Sequence, residues 1–391
     1  MKSNYDILGN HIRLIDTRNR ESITDRVLGI NIDKFFMPSV ANVIGTDLSK
    51  YKLITKGKFA CNPMHVGRDE RLPVALYDEE ESAIVSPAYF MFEVIDNSIL
   101  NEDYLMMWFR RPEFDRICWL HTDGSVRGGI TWDDICRLEL PIPPIESQLE
   151  IVNSYKAITE RIALKQKIND NLVAIGTASI QKNVGRGALI NLTEAEMDRL
   201  TFPKDFKVEN VSEFCIETKS GSTPSRTTKE YWKNGTISWV KSGEVHNNIT
   251  LQTEEYITPL GLTESSTKLL PKDTVLMAMY GVTAGEVGYL AIEATTNQAI
   301  CGMICHSEAE AAYLYFSLIQ SQAAISRLSN GGAQDNLNKN FIDNIKIVVP
   351  PSKFIEKLNL AAIVEQMTLN TKEIILLEEL QATVLAQLSS R

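Results

Sequence analysis

The chain has 391 residues, with 40 Lys and Arg against 50 Asp and Glu, a formal net charge of −10. This length suggests two or three domains, and 44% hydrophobic with 23% charged residues is ordinary for a globular protein that buries real cores. The balance excludes a uniformly basic protein that coats nucleic acid, but not basic patches on an acidic body, because binding follows local potential. The opening residues Met1–Asp6 have no apolar core and no small-residue cleavage site, and no apolar run approaches the ~18 residues of a membrane span. A chain without signal peptide, in the cytoplasm, is expected. The six cysteines sit mostly among apolar neighbours and read as reduced, buried thiols. Cys301, Cys305 and His306 are metal-ligand types, but no second pair with ligand spacing stands near them, so no metal is expected.

In chain order, residues 1–143 read as a first globular unit of mixed α and β. Its loops carry Arg18, Arg20, Lys34, Asn62, His65, Arg68, Arg71 and Arg127, candidates for contact with nucleic acid. The run Asp78–Glu81 reads as a solvated turn. Gly129–Pro144 then recurs as Asn336–Pro351, 207 residues on, with apolar residues at the same places and a Pro-Pro ending each time. Weaker echoes pair Lys52–Gly57 with Lys268–Asp273 and Tyr104–Phe109 with Tyr313–Leu318, at shifted offsets that loop insertions would produce. A period near 200 residues is a duplicated globular domain, not a solenoid.

Residues 144–184 predict a long amphipathic helix, with Ile151, Tyr155, Ile158, Ile162, Ile168, Leu172 and Ile175 at spacings of three or four and one longer step over Lys165. Residues 185–200 read as a polar connector, and 201–349 as the second globular unit. Residues 350–391 contain neither Gly nor Pro after Pro351 and predict a second long helix. Ile363, Met367, Asn370, Ile374, Leu377, Gln381, Val384 and Leu388 alternate in steps of four and three, beside a second stripe of Leu369, Leu376 and Leu380. Asn370 and Gln381 would fix register. At ~1.5 Å per residue each helix spans roughly 55–60 Å, too long for one small domain. The expected architecture is α+β: two mixed α/β globular domains in tandem, separated by two long antiparallel, coiled-coil-like helices, with a pseudo-twofold internal repeat.

The sequence lacks a G-x-x-x-x-G-K-[ST] loop and a strand-borne G-x-G-x-x-G. Asn62-Pro63-Met64-His65 matches only the first half of the Asn-Pro-Pro-aromatic pattern of amino-methyltransferases. No nucleophile–base or carboxylate–lysine constellation stands out, so binding rather than catalysis is expected. Recognition chemistry is present instead. Lys219, Ser220, Gly221, Ser222, Thr223, Pro224, Ser225 and Arg226 form a loop of hydroxyls, backbone donors and cations suited to phosphate oxygens. Tyr231-Trp232, Trp239, Lys241, Ser242 and Glu244 interleave aromatics with polar groups that stack or reach base edges, and Tyr280, Thr283 and Gln298 add polar groups at predicted strand ends.

These motifs resemble the specificity (S) subunits of type I restriction-modification systems. The resemblance rests on Ser220–Ser225, on Tyr231-Trp232 with Gly235, Ile237 and Trp239, and on Lys241–Glu244. It also rests on Thr295–Ala299 and the duplicated Pro-Pro-then-helix unit, while Leu28–Lys34 is similar to a common opening in that family. It implies two target-recognition domains, each reading half of a split double-stranded DNA sequence, held apart by two antiparallel helices. It implies that the helices seat two methyltransferase subunits, here through Ile151, Tyr155, Ile158, Ile162, Leu172, Ile363, Met367, Ile374, Leu377, Leu380, Val384 and Leu388. Restriction/translocase subunits would join in turn. S-adenosylmethionine, ATP and Mg2+ would belong to those partners, with no cofactor and no catalysis in this chain. Because the two units differ strongly between their shared anchor points, an asymmetric target is expected. Two other readings stand beside it: a stand-alone DNA-modifying enzyme, and an adaptor that bridges proteins without DNA.

Overall fold

A computed structural model describes residues 5–388 except 42, 65, 123–127, 191, 193–195, 197, 198, 247, 248 and 330–336, and of Arg68 only the backbone. The chain forms two compact units. The first is Met1–Arg161 with Leu377–Arg391, and the second is Ile162–Leu376.

In the first unit the strands are β1 (Tyr5–Ile7), β2 (Ile12–Leu14), β3 (Val27–Ile30), β4 (Phe36–Pro38), β5 (Lys52–Ile54), β6 (Lys58–Cys61), β7 (Val74–Tyr77), β8 (Ala83–Val85), β9 (Phe90–Val94) and β10 (Glu139–Pro141). One sheet has the order β2-β9-β6-β7 and is antiparallel throughout; a second has the order β4-β3-β8-β5; β1 pairs with β10. Side chains alternate faces along a strand. Phe59, Cys61, Val74, Phe92 and Val94 therefore join a core with Phe109 and Phe114 from the helices Glu102–Phe109 and Pro112–Leu120, while Ala60, Tyr77 and Met91 join Leu28 and Ile54 on the other face. Phe59 stacks on Phe92 at 5.0 Å and meets Phe109 edge-on at 5.8 Å.

The second unit repeats this plan with β11 (Ala188–Leu189), β12 (Lys207–Asn210), β13 (Glu217–Ser220), β14 (Ile237–Val240), β15 (Ile249–Thr250), β16 (Glu255–Ile257), β17 (Thr274–Ala278), β18 (Val287–Leu290), β19 (Thr295–Thr296), β20 (Ile300–Ile304) and β21 (Lys346–Val349). Its sheets have the orders β13-β20-β17-β18-β15, β16-β14-β19 and β11-β21-β12. Val275, Met277, Tyr289 and Met303 face a core closed by the helix Glu308–Ser329, and Leu276, Ala278, Leu290 and Ile300 face another.

The duplication is visible in backbone detail. Thr131 caps the helix Trp132–Cys136, and Asn338, 207 residues on, caps Lys339–Asp343 through the same side-chain-to-backbone bond. The turn entering β6 places Gly57 at φ +79° and that entering β17 places Asp273 at φ +66°; Gly and Asp are among the residues that tolerate this left-handed region. Their amides donate to equivalent carbonyls, Gly57 to Tyr77 at 2.8 Å and Asp273 to Leu290 at 2.7 Å.

The first long helix runs Ile145–Asn183. The second differs from the expectation of one uninterrupted run. A short helix Ser352–Lys357 is followed by Leu360–Gln387, with Asn359 between them at φ +53°. Asn can take that conformation without glycine, so composition did not signal the break. Both helices contribute to both units and pair antiparallel within each. In the first unit Ile151, Tyr155, Val384, Leu385 and Leu388 pack together, and Gln381 donates to Thr159 at 2.7 Å. In the second, Leu172, Val173, Ile363, Val364 and Met367 pack with Ile180 and Phe316. There the buried Asn370 donates to Asn169 at 2.9 Å and accepts from Lys165 at 3.1 Å, and Lys165 pairs with Glu373 at 2.8 Å. Gly176 faces inward, where a Cβ would lie 2.3 Å from the Phe316 ring, and that phase turns Ile175 to the exterior.

Among the described residues no helix is long and apolar enough to cross a membrane, and no cluster of three or more His, Cys, Asp or Glu could hold a metal ion. All six cysteines are free thiols; Cys305 lies beside Cys215, their sulfurs 4.0 Å apart.

Candidate nucleic-acid interface

In the second unit β13, β20, β17 and β18 alternate in direction, so the end of β13, the start of β20, the end of β17 and the start of β18 share one edge. Three connections leave there: 221–228, 297–299 and 279–286. The second sheet joins them, because Asn297 donates to the Val240 carbonyl at 3.0 Å and so sets the turn Ser242–Glu244 alongside. Lys219, Ser220, Ser222, Thr223, Ser225, Arg226, Trp239, Lys241, Ser242, Glu244, Tyr280, Thr283 and Gln298 are thus gathered at one end of the fold, although they span 80 positions in sequence.

The loop after β13 is pressed flat. A Cβ on Gly221 would fall 2.2 Å from the Asn297 carbonyl oxygen and 2.2 Å from Thr296 Oγ1, so only glycine fits. The Ser222 amide donates to the Thr296 carbonyl at 2.9 Å, its carbonyl accepts from Trp239 Nε1 at 3.0 Å, and its hydroxyl meets Ser266 at 2.9 Å. The Thr223 hydroxyl donates to exposed Gln298. Trp239 is buried and Trp232 meets it edge-on at 5.0 Å, while Trp232 Nε1 donates to the Ser225 carbonyl at 3.1 Å. The structure therefore makes Trp239 a support for the loop rather than a surface for stacking bases.

Arg226 stacks on this pair, its guanidinium carbon 3.6 Å from the Trp232 ring centre and 4.8 Å from that of Trp239, and forks onto Glu255. Lys241 pairs with Glu254 and lies 3.5 Å from Glu255. Arg226 holds the Glu255 carboxyl below its ordinary range, and Glu254 raises the Lys241 ammonium above its own. Glu244 accepts from the amides of Lys241 at 2.7 Å and Glu254 at 2.9 Å, so it braces the turn. Lys219 pairs with Glu217 at 2.9 Å, and Thr283 is buried with its hydroxyl toward the Tyr280 carbonyl. Tyr280 is partly exposed, and Val282, at the tip between β17 and β18, is fully exposed. Sequence reasoning did not single out Glu254, Glu255 or Val282. The signal for Glu255 was its place in β16, where it pairs directly opposite Trp239 of β14.

The first unit has the same sheet end. Past β2 come Arg18, which pairs with Asp16 at 2.7 Å and donates to the Lys50 carbonyl at 2.8 Å, and the exposed Arg20. Past β6 comes Asn62, whose side chain accepts from the Met64 amide at 3.1 Å; before β7, Arg71 pairs with Asp33 at 3.0 Å. Lys34 takes another role: it is buried, pairs with Asp115 at 2.7 Å and donates to the Phe109 carbonyl, and burial lowers its affinity for a proton. His65, Arg127 and the side chain of Arg68 lie outside the described residues.

Of the residues expected to meet partner subunits, Ile151, Tyr155, Leu172, Ile363, Met367, Val384 and Leu388 pack within their own unit, Ile162 is buried, and Ile158, Ile374 and Leu377 are half-buried. Leu380 is exposed, as are the neighbouring-stripe residues Leu369, at 52%, and Leu376, at 64%.

Residues 203–379 match the family of the type I restriction modification DNA specificity domain. That match covers the second unit, whose sheet plan the first unit repeats. The chain is 22% identical to the HindI specificity subunit of Haemophilus influenzae over 386 residues, 83% of each chain. It is 27% identical to the EcoR124I/EcoR124II specificity subunit of Escherichia coli over 135 residues, 33% of each. Its fold matches the crystal structure of the type I S subunit from M. genitalium with a TM-score of 0.55 at 15% identity, over 99% of this chain and 96% of that one. The match to the DNA specificity domain family thus covers the second unit and the start of the distal helix, and over its length the chain is similar to specificity subunits of type I restriction-modification systems.

Proposed function

We propose that this subunit binds a bipartite, asymmetric duplex target, one half-site per unit, and scaffolds adenine-N6 methyltransferase and restriction subunits on its helix pair. The observation that carries the reading is that one sheet end, repeated in both units, holds loops of amides, hydroxyls and cations whose residues differ between the copies. Different side chains at one architectural position read different bases, each good bidentate contact being worth about 1–3 kcal/mol of discrimination. Two readers on one face of B-DNA suit half-sites about 34 Å, or 10 bp, apart. S-adenosylmethionine, ATP and Mg2+ are assigned to the partner chains. Selection from random duplexes with the assembled complex is expected to enrich two unlike half-sites at a fixed separation. Enrichment of nothing, or of a single uninterrupted site, would refute the reading. Turnover of DNA by the purified chain with Mg2+ and S-adenosylmethionine would favour a stand-alone enzyme instead.

The exposed stripe of Leu369 and Leu376, beyond the intrachain seam, is the assigned seat of a methyltransferase subunit. Contiguous exposed leucines on a helix mark an interaction face. The double variant Leu369→Asp/Leu376→Asp is expected to weaken co-purification with that subunit by more than tenfold with the melting temperature unchanged, since neither side chain supports its core. Retained co-purification would move the seat elsewhere.

A further inference from the structure

We propose that Glu255, assisted by Glu254, is a specificity-determining positioning residue that withholds Arg226 and Lys241 from DNA lacking the target sequence; this rests on the DNA-recognition reading above. Two cations of the sheet end, Arg226 and Lys241, are both answered by carboxylates from one short stretch of chain. Arg226 forks onto Glu255 while stacked on Trp232, and Lys241 joins Glu254 and approaches Glu255 to 3.5 Å. Two positive charges thus face two negative ones. Glu244 makes no ion pair with either cation; it accepts from the amides of Lys241 and Glu254.

Sequence-blind affinity for DNA comes almost wholly from cations neutralising phosphates, with a salt slope near −0.9 per phosphate. Cations already matched by carboxylates contribute little to it. The guanidinium fork that grips Glu255 has the geometry to grip guanine O6 and N7 or a phosphate instead. Exchange of one acceptor for the other is favourable only where the remaining contacts of the loop are also made, so the pairing widens the gap between target and non-target DNA.

The test uses the full chain assembled with its methyltransferase subunits and two duplexes: one carrying the sequence methylated in cells, one with both half-sites scrambled. Glu255→Gln is expected to tighten binding to the scrambled duplex about tenfold near 0.1 M salt. Its salt slope should steepen by about 0.9–1.8, as one or two cations are freed. The target duplex should change by less than about threefold, so discrimination falls. Glu255→Asp, which keeps the charge, is expected to restore most of it. Glu293→Gln, an exposed carboxylate past the opposite end of β18, should move neither slope. An unchanged slope on scrambled DNA, or equal steepening on both duplexes, would overturn the proposal, the latter showing simple repulsion of phosphates. Should Glu255→Gln lower the melting temperature, Glu254→Gln decides: its side chain is largely exposed and grips Lys241, and it should steepen the scrambled slope by about 0.9. A wild-type complex that prefers no duplex would instead sink the DNA-recognition reading itself.

Discussion

Insertion of one helical turn into both long helices in step, between Arg161 and Ile162 and between Leu376 and Leu377, is expected to lengthen the unread spacer of the methylated sequence by about two base pairs. The boundary of the compact units falls at these two points. Four residues add about 6 Å of helix, and base pairs rise 3.4 Å each along B-DNA. Matched insertion preserves the internal locks of each unit. Gln381 still reaches Thr159 in the first, and Asn370 still reaches Asn169 and Lys165 in the second. An insertion in one helix alone would instead drag Asn370 out of register and leave a buried amide without its partners, which costs about 1–3 kcal/mol. Sequencing of N6-methylated adenines in cells carrying the doubly extended subunit reads the spacer directly. The half-sites should be unchanged, because the sheet ends that read them are untouched. A spacer of the original length would exclude the helix pair as the ruler.

Gly221→Ala is expected to abolish methylation of the full target through damage confined to the second unit. The added methyl would enter space held by backbone, the Thr296 and Asn297 carbonyl oxygens, which cannot swing aside as a side-chain end can. The loop must lift from the turn between β19 and β20. That breaks the Ser222–Thr296 bond and withdraws the Ser222 carbonyl from Trp239 Nε1. Overpacking of this kind costs about 3 kcal/mol. Calorimetry of the variant should show a lowered transition for the second unit with the first unit's unmoved, and the complex should lose discrimination at one half-site only. Gly243→Ala is the contrast, because its Cβ would meet nothing within 4 Å and should leave the melting transition unchanged. Loss of both half-site preferences in Gly221→Ala, or full activity, would contradict this account.

The duplication was readable because short-range chemistry repeats: a capping residue at 131 and 338, a Pro-Pro stop at 143–144 and 350–351, and an alternating apolar run before each. The long helices were readable from their period, and the glycine-hydroxyl loop from residue types that tight, polar turns require. These signals act over a few residues and need no knowledge of the rest of the chain. The break at Asn359 escaped because asparagine adopts a left-handed backbone without announcing it.

Which of these residues meet is set by long-range packing. Strand order brings Gly221, Lys241, Tyr280 and Gln298 to one edge, and cross-strand register sets Glu255 opposite Trp239, in reach of Arg226. Register and helix rotation are chosen by burial across the whole unit. Only that burial could send Lys34 inward to Asp115 and set Gly176 against Phe316, turning Ile175 outward. Local residue chemistry established that two related units share a helical frame. Long-range packing determined which of their charges are free to meet DNA, because an ion pair depends on distances that linear spacing does not contain.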